Sequence, residues 1–293
     1  GKYNIVPAQG DTAATINVIV KIIRVNEGRF LNEEMPDGRR ITRDINLNDA
    51  LGNLQTMQGQ IAYQILYQRD KSSLAYSQND MVVAANKIPS RAFEAYIKGL
   101  LTPEAQAREN YFKNALRLYA DATPGGTFAD AALELGHLYL GQRKLNESVD
   151  HFEKVVSAYE ACRSAARTEN KVSRCNDESY AEASFYIGLI RWEQNNYEQA
   201  LAVLRPLADD LKLTSVYNSL GSIAVQASRS EKKNESKAAA LMKEGLDLLK
   251  KANESSPDEV SIKFNYGIAL LLDGHLPEAA EQLRGVIAAR PND

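Results

Sequence analysis

In the stretch Ala181–Leu207, AEASFYIGLIRWEQNNYEQALAVLRPL, Gly188 is followed twelve places on by Ala200, then by Leu204 and Leu207 at helical steps of four and three. Leu204 and Leu207 continue one apolar face of an amphipathic helix. Two such helices cross closely only where neither carries bulk, so a glycine on one facing an alanine on the other predicts a tight helical hairpin. The spacing recurs. Gly136 precedes Ser148, Phe152 and Val155, and Gly267 precedes Ala279, Leu283 and Val286. Gly221 precedes Gly245, Leu249 and Ala252 after an insertion that doubles the first interval. A further hairpin is read upstream: Phe93, Tyr96, Gly99 and Leu100 lie on a helix ending before Pro103, and Ala105–Tyr119 forms the second, with Phe112 and Ala115 at core positions. Its loop is three residues short and Arg108 stands where a small residue is expected, which argues against an equally close crossing. Pro124-Gly125-Gly126 then breaks the chain before the hairpin Phe128–Val156.

The pattern before residue 90 is different. Ile16, Val18, Val20 and Ile22 alternate with Asn17 and Lys21, the period of a strand. Asn26-Glu27-Gly28 predicts a turn with Arg29–Asn32 returning as a second strand, and Pro36-Asp37-Gly38 a further turn before a short strand at Arg40–Ile45. Asn48 is placed to cap a helix running to about Tyr67 along the stripe Leu51, Leu54, Met57, Ile61 and Ile65. Gln55, Gln58, Gln60 and Gln64 are expected on its solvated face. Residues 71–89 lack clear periodicity and contain Pro89, so they read as a linker with room for one short helix.

The small-small spacing from about residue 90 onward resembles the tetratricopeptide repeat. The matching positions are Gly136, Gly188, Gly221 and Gly267 on first helices, and Ser148, Ala200, Gly245 and Ala279 on second helices. Leu135, Ile187, Leu220 and Tyr266 before the glycines also fit, as do Pro257 and Pro291. Departures exist: Ala132, Ser184, Tyr217 and Lys263 replace the family's tryptophan, and the first two units lack the terminal proline. The resemblance implies a mainly α protein, a right-handed α-solenoid of about five helical hairpins over residues 90–293. Within residues 1–70, Val25–Arg29 and the L-x-x-x-Q-x-x-I-A pattern Leu54–Ala62 resemble the final part of a TolB amino-terminal-like domain, related to curli- and flagellar-assembly domains. That resemblance implies a bacterial protein, an incomplete small α/β domain and more chain upstream. The competing reading is a self-contained β-hairpin or short sheet plus helix capping the solenoid.

Chemistry narrows the function classes. Net charge is −3, without the basic stripe that nucleic acid demands. No apolar run approaches the roughly 18 residues of a spanning helix. The chain opens on Gly1 and not Met, which fits a processed or cut chain and leaves its address open. No catalytic motif is found, so no enzyme activity, cofactor or metal is expected. His137, His151 and His275 lack ligand spacing and read as structural. Cys162 and Cys175 share one local excursion after Val156; they read either as a disulfide suited to an oxidising, periplasmic setting or as two free thiols. Ser228–Lys237, SRSEKKNESK, reads as a solvated loop between the helices of its unit.

In the resembled family, first helices line a ligand groove. The corresponding residues here are Asp130, Leu133, His137 and Leu140; then Glu182, Phe185, Leu189, Trp192 and Glu193; then Ser215, Asn218, Ser222, Val225 and Gln226; then Ser261, Phe264, Ile268, Leu271 and Leu272. Almost none is basic, which excludes the family's carboxylate clamp. An apolar face suits an amphipathic helix or an extended apolar peptide of a protein partner. Trp192 is either an exposed anchor or buried against a neighbouring helix, and the segment Asp70–Ser90 is an alternative occupant of the groove. The expectation is a non-enzymatic interaction scaffold. The rival readings are the docking tail of a larger signalling kinase or cyclase, and a periplasmic envelope-assembly or secretion accessory protein.

Overall fold

The structure, a computed structural model, describes residues 1–8, 14–30, 32–34, 36–42, 44–69, 74–168, 175 and 177–290. It divides into two units, Gly1–Ala131 and Ala132–Asp293.

In the first unit, β1 (Lys2–Val6), β2 (Thr15–Val20) and β7 (Ile45–Ala50) form an antiparallel sheet in the order β1-β2-β7, with Val18 opposite Tyr3 and Leu47. Two short ribbons lie between β2 and β7 in sequence: β3 (Ile23–Arg24) with β4 (Arg29–Phe30), and β5 (Asn32–Glu34) with β6 (Arg40–Thr42). Gly28 takes φ +61° at the first turn, a conformation that favours glycine. Ile16, Leu51 and Met57 are buried with Val18, Leu47 and Leu54 against them. Asn48 does not cap a helix. It sits in β7 opposite Asn17, and α1 (Leu54–Arg69) begins only after a 3-10 turn at Leu51–Asn53. The alternation in Ile45-Asn46-Leu47-Asn48 belongs to a strand, and Asn53 Nδ2 donates to Asp49 Oδ1 where the chain turns into the helix.

Gln55 is also misplaced by the pattern, being only 3% exposed. Its Nε2 donates to Ile88 O at 2.7 Å, and its Oε1 accepts from Lys87 N and Ile88 N at 3.2 and 3.1 Å. One side-chain amide thus satisfies the backbone of a non-helical segment. The short helix of the expected linker is α2 (Gln78–Ala85), capped by a reciprocal Ser77–Asp80 box. It packs on α1 where a Cβ at Gly59 would stand 2.6 Å from Val82 Cα.

Helices α3 (Ser90–Leu101) and α4 (Ala105–Ala122) form the first hairpin. It crosses closely despite Arg108, because the Gly99 notch holds the Phe112 ring, with Cδ1 2.7 Å from where a Cβ would be. The Arg108 guanidinium lies 5.9 Å from the centroid of that ring.

The second unit begins inside α5 (Ala129–Gly141) and continues through α6 (Leu145–Thr168), α7 (Asp177–Glu193), α8 (Tyr197–Leu211), α9 (Thr214–Ser230), α10 (Glu235–Ser255), α11 (Val260–Leu272) and α12 (Leu276–Ala289). These pair as α5–α6, α7–α8, α9–α10 and α11–α12. Each glycine notch takes the large residue four after the small one: Gly136 takes Phe152, Gly188 takes Leu204, Gly221 takes Leu249 and Gly267 takes Leu283. In two of these units the small residue lies over the glycine's carbonyl instead. Ser148 Oγ donates to Gly136 O at 2.8 Å, and a Cβ on Gly245 would stand 2.9 Å from Gly221 O.

A repeated turn sets each regular hairpin. Arg143, Asn195 and Gly274, each seven residues after its glycine, adopt φ of +62°, +58° and +87°. The next residue's N–H closes a six-residue loop: Lys144 N to Tyr139 O, Asn196 N to Arg191 O and His275 N to Leu270 O, at 2.9, 2.8 and 2.9 Å. This is the Schellman arrangement, and the second helix starts one residue later. The α9–α10 unit lacks it. There Ser228–Lys237 is largely exposed, as expected, but only residues 231–234 of it form a loop. Helix α9 runs on to Ser230 and α10 starts at Glu235, ten residues before Gly245, so the insertion is absorbed as extra helical turns. Ser228 Oγ donates to Ala238 O at 2.6 Å, and Ala227 and Leu241 are buried beside it. Among the described residues, no helix is long and apolar enough to cross a membrane.

Candidate partner-binding face

Along a first helix, the glycine and the residue before it face the second helix, which leaves the positions three to four away for neighbouring first helices or for an open face. In α5, Leu133, His137 and Leu140 are half-buried. His137 Nε2 lies 3.0 Å from Glu182 Oε1 on α7, and its ring meets Phe152 and Tyr186 edge-on, at centroid distances of 5.2 and 4.8 Å. In α7, Phe185, Leu189 and Trp192 are half-buried too; Phe185 and Trp192 pack against the core that holds Leu204 and Leu220. The Trp192 indole N–H donates to Gln226 Oε1 on α9 at 2.8 Å. Asn265 Nδ2 on α11 donates to Asn218 Oδ1 on α9 at 3.0 Å. His137, Trp192 and Asn218 therefore brace successive first helices, and part of the predicted face is engaged within the array.

Toward the last hairpin the face opens. Phe264 and Leu271 are 47% and 45% exposed, with Ile268 half-buried between them in sequence. Ser222, Val225 and Gln226 of α9 converge with Phe264, Ile268 and Leu272 of α11 on a cleft of about 530 Å³. Val225 is only 4% exposed and forms its floor with Leu249 and Ala269. Ser222 Oγ is buried there without a hydrogen-bond partner.

Residues 133–210 and 234–293 match the family profile described as "Tetratricopeptide repeat". Those two stretches carry tetratricopeptide repeats. Solved structures agree on the fold. One described as "YrrB: a TPR protein with an unusual peptide-binding site" has a TM-score of 0.51 and 16% identity, covering 73% of this chain and 92% of its own. A MamA RS-1 double mutant has a TM-score of 0.50 and 16% identity, covering 69% of this chain and 96% of its own. At such identities the likeness shows the fold alone. No curated protein sequence matches the chain. The family match lies outside residues 1–70, so the TolB-like resemblance there rests on its short motif alone.

Within the tetratricopeptide array, the family's ligand positions miss six residues of the cleft: Leu249, Asn265 and Ala269, and three more that extend it. Arg229 and Ser230 line it from the extra turn of α9, beyond the last family position, and Tyr197 lines it from the start of α8. The signal for the first two was the doubled interval after Gly221, whose extra residues continue the helix. The remaining predicted pair lies elsewhere. Cys162 Sγ and Cys175 Sγ are bonded at 1.98 Å, joining the end of α6 to the residues before α7. Tyr159 donates to Asp177 Oδ1 at 2.7 Å and stacks on Tyr180 at 4.1 Å, which pins the same junction. That hydrogen bond, with burial second, holds the Tyr159 phenol above its ordinary pKa of 10.0. Among the described residues, no three His, Cys, Asp or Glu side chains are grouped to hold a metal ion.

Proposed function

We propose that this chain is a non-enzymatic scaffold that holds a segment of a partner protein against the apolar face of its first helices, centred on the cleft between α9 and α11. The observation that carries the reading is the convergence of six family ligand positions on that one opening, with Phe264 and Leu271 left exposed beside it. An exposed phenylalanine beside an apolar cleft is destabilising in water and becomes favourable once a partner covers it. Stacked hairpins supply a preformed surface, so the receptor loses little conformational freedom on binding. The experiment is pull-down of cross-linked partners from the native host with wild-type protein and with Phe264→Ala. The reading requires a discrete partner that the variant loses while keeping the wild-type urea midpoint.

The disulfide favours one of the rival settings. A bridge between Cys162 and Cys175 persists in an oxidising compartment, which supports an extracytoplasmic accessory role over a cytoplasmic docking tail. Thiol titration of protein isolated under non-reducing, alkylating conditions tests this: two alkylated cysteines would contradict it.

A further inference from the structure

The extra turn that the insertion adds to α9 changes what the cleft can recognise, and this step rests on reading the cleft as a partner site. Of the residues lining it, Arg229 is the single charged one; it is exposed and forms no ion pair among the described residues. Beside it on the rim, Gln226 has its Oε1 occupied by the Trp192 indole, and its amide N–H groups make no bond among the described residues. The rim therefore offers donors and one positive charge, and no carboxylate is among the residues lining the cleft. Below it, Phe264, Ile268 and Val225 supply the apolar wall and floor.

We propose that the occupant is a segment of a partner protein in which a large apolar side chain is followed within a few residues by Asp or Glu. The apolar group seats between Phe264 and Ile268, and the carboxylate meets the Arg229 guanidinium at the rim. A nucleic acid strand or a phosphate cluster would call for several cations, and only one lines the cleft. A single exposed guanidinium matches a single side-chain carboxylate, and charge complementarity of this kind acts mainly on selectivity.

The test is selection from a phage-displayed random dodecapeptide library whose carboxyl ends are fused to the coat protein, so that only side-chain carboxylates are on offer. Wild-type protein is expected to enrich peptides with an aromatic or aliphatic residue close to Asp or Glu. Arg229→Glu is expected to enrich Lys or Arg at the acidic position. A synthetic, amidated copy of the selected peptide should bind Arg229→Ala about two- to fivefold more weakly, the range of an exposed ion pair. Apolar enrichment that Phe264→Ala abolishes, without acidic preference and without reversal by Arg229→Glu, overturns this inference and leaves the apolar binding face standing. No enrichment over Phe264→Ala overturns both. A peptide with a free terminal carboxylate and no acidic side chain that binds as tightly as the selected one overturns the assignment to a side chain.

Discussion

Gly136 on α5 and Phe152 on α6 occupy one space: a Cβ on the glycine would overlap the phenylalanine ring, with Cδ1 at 2.6 Å. The same relation joins Gly188 to Leu204, where a Cβ would stand 2.5 Å from Cγ. Because Leu204 is fully buried, it has no free volume into which to retreat. Gly188→Ala is expected to destabilise the protein by about 1–3 kcal/mol, the usual cost of overpacking a filled core, measured by urea unfolding. Gly141→Ala is the control. Nothing lies within 4 Å of a Cβ at Gly141, at the end of the same kind of helix, so it should be neutral within about 0.5 kcal/mol.

Ser148→Ala tests the other half of the crossing. The buried Ser148 hydroxyl donates to Gly136 O, and its loss is expected to cost about 1 kcal/mol in the same assay. Ser148→Leu would collide with the neighbouring helix and should cost considerably more.

How far this architecture could be read from residue order depends on which contact is asked for. The glycine-to-small-residue interval marked the four hairpins of the second unit, because both positions must stay small for helix backbones to approach. It misjudged which atoms meet, since the notch takes the residue four further on. That is also why Arg108 did not prevent the α3–α4 crossing: the Gly99 notch needs only Phe112. The Schellman turns escaped notice because Arg143 and Asn195 adopt positive φ without being glycine. Gln55 escaped because its partners, Lys87 and Ile88, lie over thirty residues away in a segment without periodicity. At the candidate site, spacing placed Phe264, Ile268 and Ser222 on one face, while Arg229 depended on an insertion continuing as helix.

Gln55→Leu should loosen the segment after α2. It removes the partners of Ile88 N and Ile88 O, while Lys87 N keeps its bond to Ala85 O at 2.9 Å, and a backbone group left unpaired costs about 1–3 kcal/mol where it is buried. Faster hydrogen exchange at the Ile88 amide, with α9 and α10 unchanged, is the expected readout.

The α2 cap predicts an acid-sensitive element. Asp80 Oδ2 accepts from Ser77 N and Ser77 Oγ, both at 2.8 Å. The backbone N–H, then the hydroxyl, holds its carboxyl below the ordinary 3.8. A lowered folded-state pKa contributes stability that is fully present above 3.8 and is lost as pH falls through the folded value. Exchange protection in α2 should therefore hold down to about pH 4 and drop below it. Asp80→Asn should flatten that dependence.

Reduction of the Cys162–Cys175 bridge opens a loop closed across a sequence separation of 13, worth about 3 kcal/mol in the chain-entropy account. A lower thermal midpoint under reductant is expected, with exchange rising first in the last turns of α6. Cys162→Ser should reproduce the reduced protein and show no further response to reductant.

The central claim is that the open first-helix face binds and the glycine-packed face folds. The most direct measurement is the affinity of Phe264→Ala for a peptide selected on wild-type protein, made alongside urea unfolding of Phe264→Ala and Phe152→Ala. Phe152→Ala should lose about 3–5 kcal/mol, as for any fully buried aromatic. Phe264→Ala should keep the wild-type midpoint and bind at least tenfold more weakly. Unfolding of Phe264→Ala alongside Phe152→Ala, or unchanged affinity in a folded Phe264→Ala, would contradict the account.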